Sequence, residues 1–199
     1  VVGSLPRLEY VKDLQNLKPT NDFEHVAWES QINNAVKFII SMMNQTGIDI
    51  ITDGEIRRES YSNRVATALG GIDTENAGTA LDRTGQANPV PRVVGRIVRE
   101  KAIEVEDVEF LRANTERQIK ITLPGPFTMA QQAQDDYYDD EVALATDYAK
   151  AVNAEIRDLF AAGADIVCLD EPYMQARPEK AREYAVEVIN EAIKGTKGV

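Results

Sequence analysis

The sequence predicts an α/β fold with a parallel sheet, because one pattern occurs twice along its 199 residues. A helix-like stretch runs into Gly-x-Asp and then into a short apolar run that ends on carboxylates. The first copy spans Gly47–Glu55 and the second spans Gly163–Pro172. Each copy is typical of a helix end and a buried parallel strand, with acidic groups at the strand's carboxyl end, where α/β folds build their chemistry. The repetition predicts a barrel or a doubly wound sheet with an acidic site on one rim.

The remaining elements alternate along the chain in the same way. The predicted strands are 1–4, 49–52, 93–98, 119–123 and 166–169; the predicted helices are 23–46, 105–115, 141–162 and one from Pro178 to about Gly195, with 57–69 helical or loop. The first helix is indicated by helical spacing of apolar residues and by Gly47 as a natural end. Strands that alternate with helices imply right-handed crossovers and a parallel sheet.

Residues 70–98 are predicted to be an insert. The stretch Gly70–Pro91 is rich in glycine and polar residues and has no period, so it is interpreted as a lid, a binding loop or a disordered segment. The run Val93–Val98 is an additional strand with arginines interleaved.

Residues 1–199 are therefore predicted to form one partial barrel domain. Four strand–helix units are half of an eightfold barrel, and half a barrel has two long unpaired edges, which proteins in water avoid. Gly195–Val199 resembles a loop that leads into a further strand. We expect the rest of the barrel to come from a continuation of the chain, a second chain or self-association.

Composition excludes some classes of partner. The chain has 22 Lys and Arg against 33 Asp and Glu, a net charge of −11, which argues against nucleic acid or an anionic membrane as the main partner. The single cysteine, Cys168, fits a reducing cytosol, and no apolar stretch approaches the roughly 20 residues that span a bilayer. A cytoplasmic location is predicted.

Asp53 and Glu55 are the first candidate site residues, because they follow the strand 49–52. Two interpretations stay open at this point. Both carboxylates serve a site, or Asp53 caps the following turn while Glu55 is solvated. Arg57 and Arg58 are either ligand contacts or salt-bridge partners of these acids.

Asp170 and Glu171 are the second candidate pair, since they follow an apolar run and precede Pro172. Carboxylates at this place bind an ammonium group, act as acid or base, or hold a metal; the alternative is capping. The rigid turn within Leu123–Met129 either exposes backbone amides to a ligand or only ends a strand.

Other chemistries lack a pattern in the sequence. The single histidine, His25, is predicted to lie on the surface, and Cys168 is predicted to be a core strand residue. Their spacing does not make a zinc site. Glycine-rich nucleotide-binding motifs and the serine hydrolase motif are also missing from the sequence.

Four segments in order resemble the catalytic C-terminal barrel of the cobalamin-independent methionine synthase family. They are Val2–Arg7, Asp53–Arg57, Leu123–Thr128 and Ile166–Pro172. The resemblance covers essentially the whole chain and is closest to the short forms of the family. It implies a TIM-type barrel, of which this chain supplies roughly the first four strand–helix units.

The resemblance also implies zinc-dependent methyl transfer to a thiol, with homocysteine converted to methionine. Residues at the positions of Ser4, Glu55 and Asp170 hold the amino-acid end of homocysteine in the family, and Asp53, Arg57 and Glu171 are possible additional contacts. The family's zinc ligands, which begin with a His-x-Cys pair, would lie beyond Val199. This chain is thus expected to carry part of the substrate site, no catalytic residue and no metal ligand, and to be inactive alone.

Several alternatives remain. Short relatives use methyl-folate or another donor such as a methyl-corrinoid, or transfer alkyl groups to another thiol such as coenzyme M. A uroporphyrinogen-decarboxylase-like enzyme would need basic groups for an acidic substrate, and five arginines keep it open: Arg57, Arg58, Arg92, Arg96 and Arg99. The third alternative is a non-catalytic half-barrel module that pairs with itself or a partner.

Overall fold

The structure is a computed structural model that describes residues 4–5, 20–58 and 63–198. Its helices are α1 (Asp22–Gln45), α2 (Asn63–Thr67), α3 (Val105–Ala113), α4 (Pro126–Gln131), α5 (Glu141–Ala161), α6 (Pro172–Ala176), α7 (Pro178–Lys180) and α8 (Val186–Ile193), with a π-helical turn at Ala181–Ala185. Its strands are β1 (Ile50–Ile51), β2 (Gly70–Leu81), β3 (Ala87–Val98), β4 (Gln118–Pro124), β5 (Gln134–Asp135) and β6 (Ile166–Asp170). The strand predicted at 1–4 lies almost entirely outside the described residues.

The predicted parallel sheet is confirmed. Strands β1, β4 and β6 lie side by side in that order, and both pairings are parallel. The connections run through helices, as expected for crossovers that pack helices on a parallel sheet. The carboxyl ends of the three strands therefore lie at the same edge of the sheet.

Helix α1 has the apolar face that its spacing predicts. Asn21 caps its first turn, where the side-chain oxygen accepts from the Glu24 backbone N–H. The buried side chains on this helix are Ile32, Ala35, Val36, Ile39, Ile40 and Met43. They join one core with the parallel strands and with α5, which packs against β3, β6 and α8. Among the described helices, none is both long and apolar enough to cross a bilayer.

The prediction of a loop at 70–91 is wrong. Residues 70–98 form a long antiparallel hairpin of β2 and β3, and β5 adds to β3 in parallel. Two register shifts interrupt the pairing, which removes the strict alternation of apolar and polar residues that a regular strand shows. Asp82 organises the hairpin loop, because its Oδ1 accepts from the backbone N–H of Thr84 and Gln86.

Strand β6 is less buried than predicted. All five of its residues, Cys168 included, are only half-buried. Its position explains this, since β6 is the last strand of the described sheet and only its β4 side is covered by another strand. A strand with one open edge keeps part of every residue accessible.

Candidate functional site

Two acidic turns lie at the carboxyl ends of the two outer strands of the parallel sheet. The first turn follows β1 and carries Asp53 and Glu55; the second begins at Asp170, the last residue of β6, and continues with Glu171. Strand β4 lies between them, so β1 and β6 are separated by two strand spacings, about 10 Å. The acids predicted from the sequence therefore lie at one edge of the sheet.

The first turn is held by its own side chains. Thr52 Oγ1 accepts from the Gly54 backbone N–H at 3.1 Å, and Asp53 Oδ1 accepts from the Glu55 backbone N–H at 3.2 Å. Gly54 and Glu55 both have left-handed backbone, with φ of +69° and +56°. This conformation costs a non-glycine residue about 1–2 kcal/mol, so surrounding contacts must stabilise Glu55.

Ser4 lies directly against this turn. Its hydroxyl donates to Glu55 Oε2 at 2.5 Å, and the Leu5 backbone N–H donates to the Gly54 carbonyl at 3.1 Å. Gly54 is needed here, because a Cβ would lie 3.1 Å from Leu5 Cδ1 and 3.2 Å from Ile39 Cγ2. Glu55 is only 4% exposed, which excludes the interpretation that it is a solvated surface acid.

Asp53 serves the turn, as the capping interpretation predicted, and it is buried as well. It is 2% exposed, and its Oδ2 has no hydrogen-bond partner among the described residues. Burial raises the pKa of Asp53, and the positive charge of Arg58 opposes that rise. The acidic turn thus depends on a buried cation for its charge balance.

Arg57 and Arg58 pair with Glu104 and Asp107, acids that no pattern in the sequence indicates. Arg57 Nε lies 2.8 Å from Asp107 Oδ1, and the fully buried Arg58 lies with Nη2 3.3 Å from Glu104 Oε2. Arg64 joins both acids from the other side, at 3.2 Å from Glu104 and 2.9 Å from Asp107. The first turn of α3 is acidic, but acidic residues at a helix N-terminus are already explained by a favourable interaction with the helix dipole, so they do not indicate this cluster.

In the second turn, Glu171 caps α4. Its Oε1 accepts from the Phe127 backbone N–H at 3.0 Å and its Oε2 from the Thr128 N–H at 2.6 Å. Burial raises the pKa of Glu171, and these hydrogen bonds act in the opposite direction. Two of the amides in the turn at Leu123–Met129 are therefore engaged by protein, and not offered to a ligand.

Asp170 is half-buried at the end of β6. It lies in register with Pro124, and its carbonyl accepts from the Gly125 backbone N–H at 2.9 Å. Gly125 permits this close approach, because a Cβ there would lie 2.1 Å from Glu171 Oε1. The turn between β4 and α4 thus fixes the backbone that presents Asp170.

The arginines of the hairpin make ion pairs with nearby acids. Arg92 pairs with Asp136, Arg96 with Asp147, and Arg99 with Glu155 and Asp158. Together with the pairing of Arg57 and Arg58, this gives each of the five arginines an acidic partner in the chain. They therefore do not present the set of uncompensated cations that an acidic porphyrinogen substrate would need.

The described residues do not fit a zinc site. Within residues 4–5, 20–58 and 63–198, no group of three or more His, Cys, Asp or Glu side chains is arranged to hold a metal ion. His25 is exposed in the first turn of α1 and lies against the Trp28 ring. A site with three protein ligands, as catalytic zinc requires, is thus not formed by these side chains.

Comparison with known proteins reveals a close family relationship. The family model described as the catalytic domain of cobalamin-independent synthase matches residues 1–197. The methionine synthase of Saccharolobus solfataricus is 32% identical over 98% of this chain and 58% of its own length. The methionine synthase of Sulfolobus acidocaldarius is 30% identical over 98% and 57%. The chain thus spans less than three-fifths of the length of these relatives.

Solved structures agree with the sequence relatives. A B12-independent methionine synthase from a Shewanella species, solved in complex with selenomethionine, is 32% identical with a TM-score of 0.88, over 98% of this chain and 57% of that one. A putative B12-independent methionine synthase from Listeria monocytogenes shares the fold, with a TM-score of 0.80 at 24% identity. The acidic strand ends, the order of the four segments and these matches lead to one conclusion: the chain belongs to the family of cobalamin-independent synthase catalytic domains.

Proposed function

We propose that this chain is part of an enzyme that transfers a methyl group to the thiol of homocysteine without cobalamin, and that it supplies the contacts for the amino-acid end. The observation that carries the proposal is the hydrogen bond from the exposed Ser4 to the buried Glu55, at the same edge of the sheet as Asp170. Two carboxylates at one edge match the single positive charge of an α-ammonium group. The family membership supports the same assignment.

In this proposal Ser4, Glu55 and Asp170 contact the substrate, and the three further candidates support them. Asp53 holds the turn of Glu55, Arg57 is paired with Asp107, and Glu171 caps α4. The Shewanella relative was solved with selenomethionine, an amino acid with the same backbone end as homocysteine. That complex supports recognition of an amino acid by this family.

The charge of the site distinguishes between the two candidate acceptor thiols. Homocysteine carries an ammonium group, whereas coenzyme M carries a sulfonate and no ammonium. Carboxylates at the site favour the first and repel the second. The proposal therefore names homocysteine rather than coenzyme M as the acceptor, in a cytoplasmic enzyme; the methyl donor is left open between folate and corrinoid carriers.

The proposal of a partial barrel also concerns the ligands of the zinc ion. Because the described residues do not fit zinc, we propose that its ligands come from polypeptide that these 199 residues do not include, in the other part of a (β/α)8 barrel. The chain alone, with the hairpin at 70–98 as an insert in its first half-barrel, is then inactive.

The test compares the complete natural polypeptide with the isolated 199-residue chain. Methionine formation from homocysteine is measured by mass spectrometry with methyl-folate and with a methyl-corrinoid. We expect product from the complete polypeptide with one donor and none from the isolated chain. Thiol methylation by the isolated chain would contradict the split of functions, and no product with either donor would contradict the activity.

A binding experiment tests the role of the carboxylates independently of catalytic turnover. Calorimetric titration compares homocysteine with 4-mercaptobutanoate, which has the same thiol and carboxylate but no amine. Loss of a hydrogen bond to a charged group costs about 1.5–3 kcal/mol, so Glu55→Gln is expected to weaken homocysteine about tenfold or more. The affinity for 4-mercaptobutanoate should not change. Equal affinity of the unmodified protein for both ligands would contradict ammonium recognition.

A further inference from the structure

We infer that Arg58 is a positioning residue for the amino-acid end of the substrate: its buried guanidinium locks the turn that bears Glu55 onto the end of β4. The inference rests on the proposed function, since it takes Glu55 as the group that receives the ammonium. It adds a residue that touches no ligand and acts through Glu55.

The contacts of Arg58 join two strand ends. Its side chain is large and charged, yet it is 0% exposed. Nη2 donates to the Thr122 carbonyl of β4 at 2.6 Å and lies 3.3 Å from Glu104 Oε2. Its backbone N–H donates to the Glu55 carbonyl at 3.2 Å. Arg58 thus bridges the turn after β1, the neighbouring strand β4 and the start of α3.

Charge holds Arg58 in this place. Burial acts to lower the pKa of Arg58, but the carboxylates of Glu104, Asp53, Glu55 and Asp107 outweigh it and raise the pKa. The guanidinium therefore stays protonated among these acids. Both contacts are made by Nη2, which the planar guanidinium places between the Thr122 carbonyl and Glu104. A lysine would keep one positive charge but place it on a flexible stem without this planar group.

The turn needs such support. Gly54 and Glu55 lie in succession in the left-handed region, which Glu55 does not favour. Asp53 Oδ1 and Ser4 hold the amide and the carboxylate of Glu55, and the Arg58 backbone N–H holds its carbonyl, while the Arg58 guanidinium ties this end of the turn to β4. Without the link to β4, the turn can relax and move the carboxylate away from the sheet edge. A displacement of about 1 Å from a productive geometry costs up to about a hundredfold in activity.

The experiment uses Arg58→Lys in the complete natural polypeptide, with calorimetric titration of homocysteine and of 4-mercaptobutanoate. The dissociation constant for homocysteine is expected to rise about tenfold, because a misplaced Glu55 loses its hydrogen bond to the ammonium. The dissociation constant for 4-mercaptobutanoate is expected to stay the same. A purely structural role of Arg58 would weaken both ligands alike.

Arg64→Lys is the matched control. Arg64 pairs with the same two acids, Glu104 and Asp107, and its contacts in the described part of the chain do not extend to the turn at 53–55. The control therefore perturbs the same ion cluster from its exposed side. Its dissociation constants for both ligands are expected to match those of the unmodified protein.

The outcomes are distinct. Selective loss of homocysteine in Arg58→Lys alone supports the inference. An unchanged constant in Arg58→Lys, an equal loss for both ligands, or the same loss in Arg64→Lys overturns it while the proposed function stands. If the unmodified protein does not prefer homocysteine over 4-mercaptobutanoate, the proposed function fails and the inference fails with it.

A second variant covers the case in which Arg58→Lys does not fold. Asp53→Asn keeps the oxygen that accepts from the Glu55 backbone N–H but removes a carboxylate charge that Arg58 faces. Selective loss of homocysteine affinity in this variant supports the coupling between Arg58 and the turn. Unchanged affinity for homocysteine overturns it.

Discussion

The two acidic turns have the same sequence pattern and opposite means of support. In the turn after β1, the carboxylates of Asp53 and Glu55 are buried beside the cation of Arg58. In the turn after β6, Glu171 is satisfied by the backbone N–H groups of Phe127 and Thr128. The first turn relies on a side-chain charge, and the second relies on the positive end of a short helix.

Because of this difference, the first turn is sensitive to the loss of a charge and the second turn is sensitive to a change of shape. Removing a buried cation leaves a carboxylate uncompensated, which is costly because water cannot replace the partner. Backbone amides survive every substitution except proline, so the second turn is sensitive mainly to changes that displace Glu171 from them. Each turn can therefore be disrupted by a different kind of change.

The largest effect is expected from Arg58→Met, which removes the cation from the first turn. The free energy of unfolding should fall by about 3–5 kcal/mol, because the buried carboxyls of Asp53 and Glu104 lose a buried cation and Glu104 keeps only Arg64. Urea denaturation of the complete natural polypeptide measures it. Arg182→Met is the control: it breaks the exposed pair with Glu179 and should cost less than about 1 kcal/mol. Equal losses would contradict the importance of burial.

Gly125→Ala tests the shape of the second turn. The new Cβ would lie 2.1 Å from Glu171 Oε1 and 2.2 Å from its Cδ, so Glu171 must leave its amide partners. Overpacking of this kind costs about 1–3 kcal/mol. Gly95→Ala is the control, since its Cβ would meet only Gly71 Cα at 3.4 Å, an ordinary contact. Similar urea midpoints for the two variants would refute the argument.

The free energy of unfolding is expected to depend on pH through Glu104, the buried acid that pairs with Arg58. Burial raises the pKa of Glu104 from 4.5 to about 8, against the effect of Arg58 and Arg64. The folded protein thus holds this proton more tightly than the unfolded chain. The resulting stabilisation is fully present below pH 4.5 and is lost as the pH rises through about 8.

Glu104→Gln should therefore gain stability relative to the unmodified protein as the pH rises from about 5 to 8, by at most about 1.4 kcal/mol per pH unit. Urea denaturation across this range measures the difference. Glu106→Gln, which removes an exposed carboxylate from the first turn of the helix that Glu104 precedes, is the control. Parallel stability curves for Glu104→Gln and the unmodified protein would show that this carboxyl does not titrate differently on folding.

The smallest effect is expected from Glu171→Gln. The variant weakens the cap of α4, which should cost about 1 kcal/mol of unfolding free energy. Affinity for homocysteine should stay unchanged, in contrast to Glu55→Gln. Thermal denaturation and calorimetric titration measure the two effects. A loss of homocysteine affinity comparable to that of Glu55→Gln would assign Glu171 to the ligand site instead of the cap.

Periodicity predicted the long elements well and failed at the hairpin. Helices α1 and α5 each bury one face over many turns, so their apolar spacing is visible in the sequence. The hairpin at 70–98 has register shifts, many exposed positions and polar residues throughout. Its stability comes from pairing along the backbone and from ion pairs to α5 such as Arg96–Asp147, neither of which leaves a periodic pattern.

In the candidate site, too, some features were predicted from the sequence and others were not. Asp53, Glu55, Asp170 and Glu171 were predicted because parallel strands bring their carboxyl ends to one edge. The pairing of Arg58 with Glu104 was not predicted, since the two residues are 46 positions apart and meet only across the sheet. The role of Glu171 as a cap also depends on α4, a six-residue helix that the sequence analysis treated only as a turn.

The sequence by itself determined the α/β class, the parallel sheet and the edge at which the acids collect, because these follow from local spacing and from the geometry of crossovers. Only the tertiary structure decided what each acid does. A carboxylate's role depends on which donors and cations reach it through space, and burial makes those few contacts decisive. Glu55 and Glu171 have similar neighbours along the chain, yet one is held by Ser4 and the other by the amides of α4.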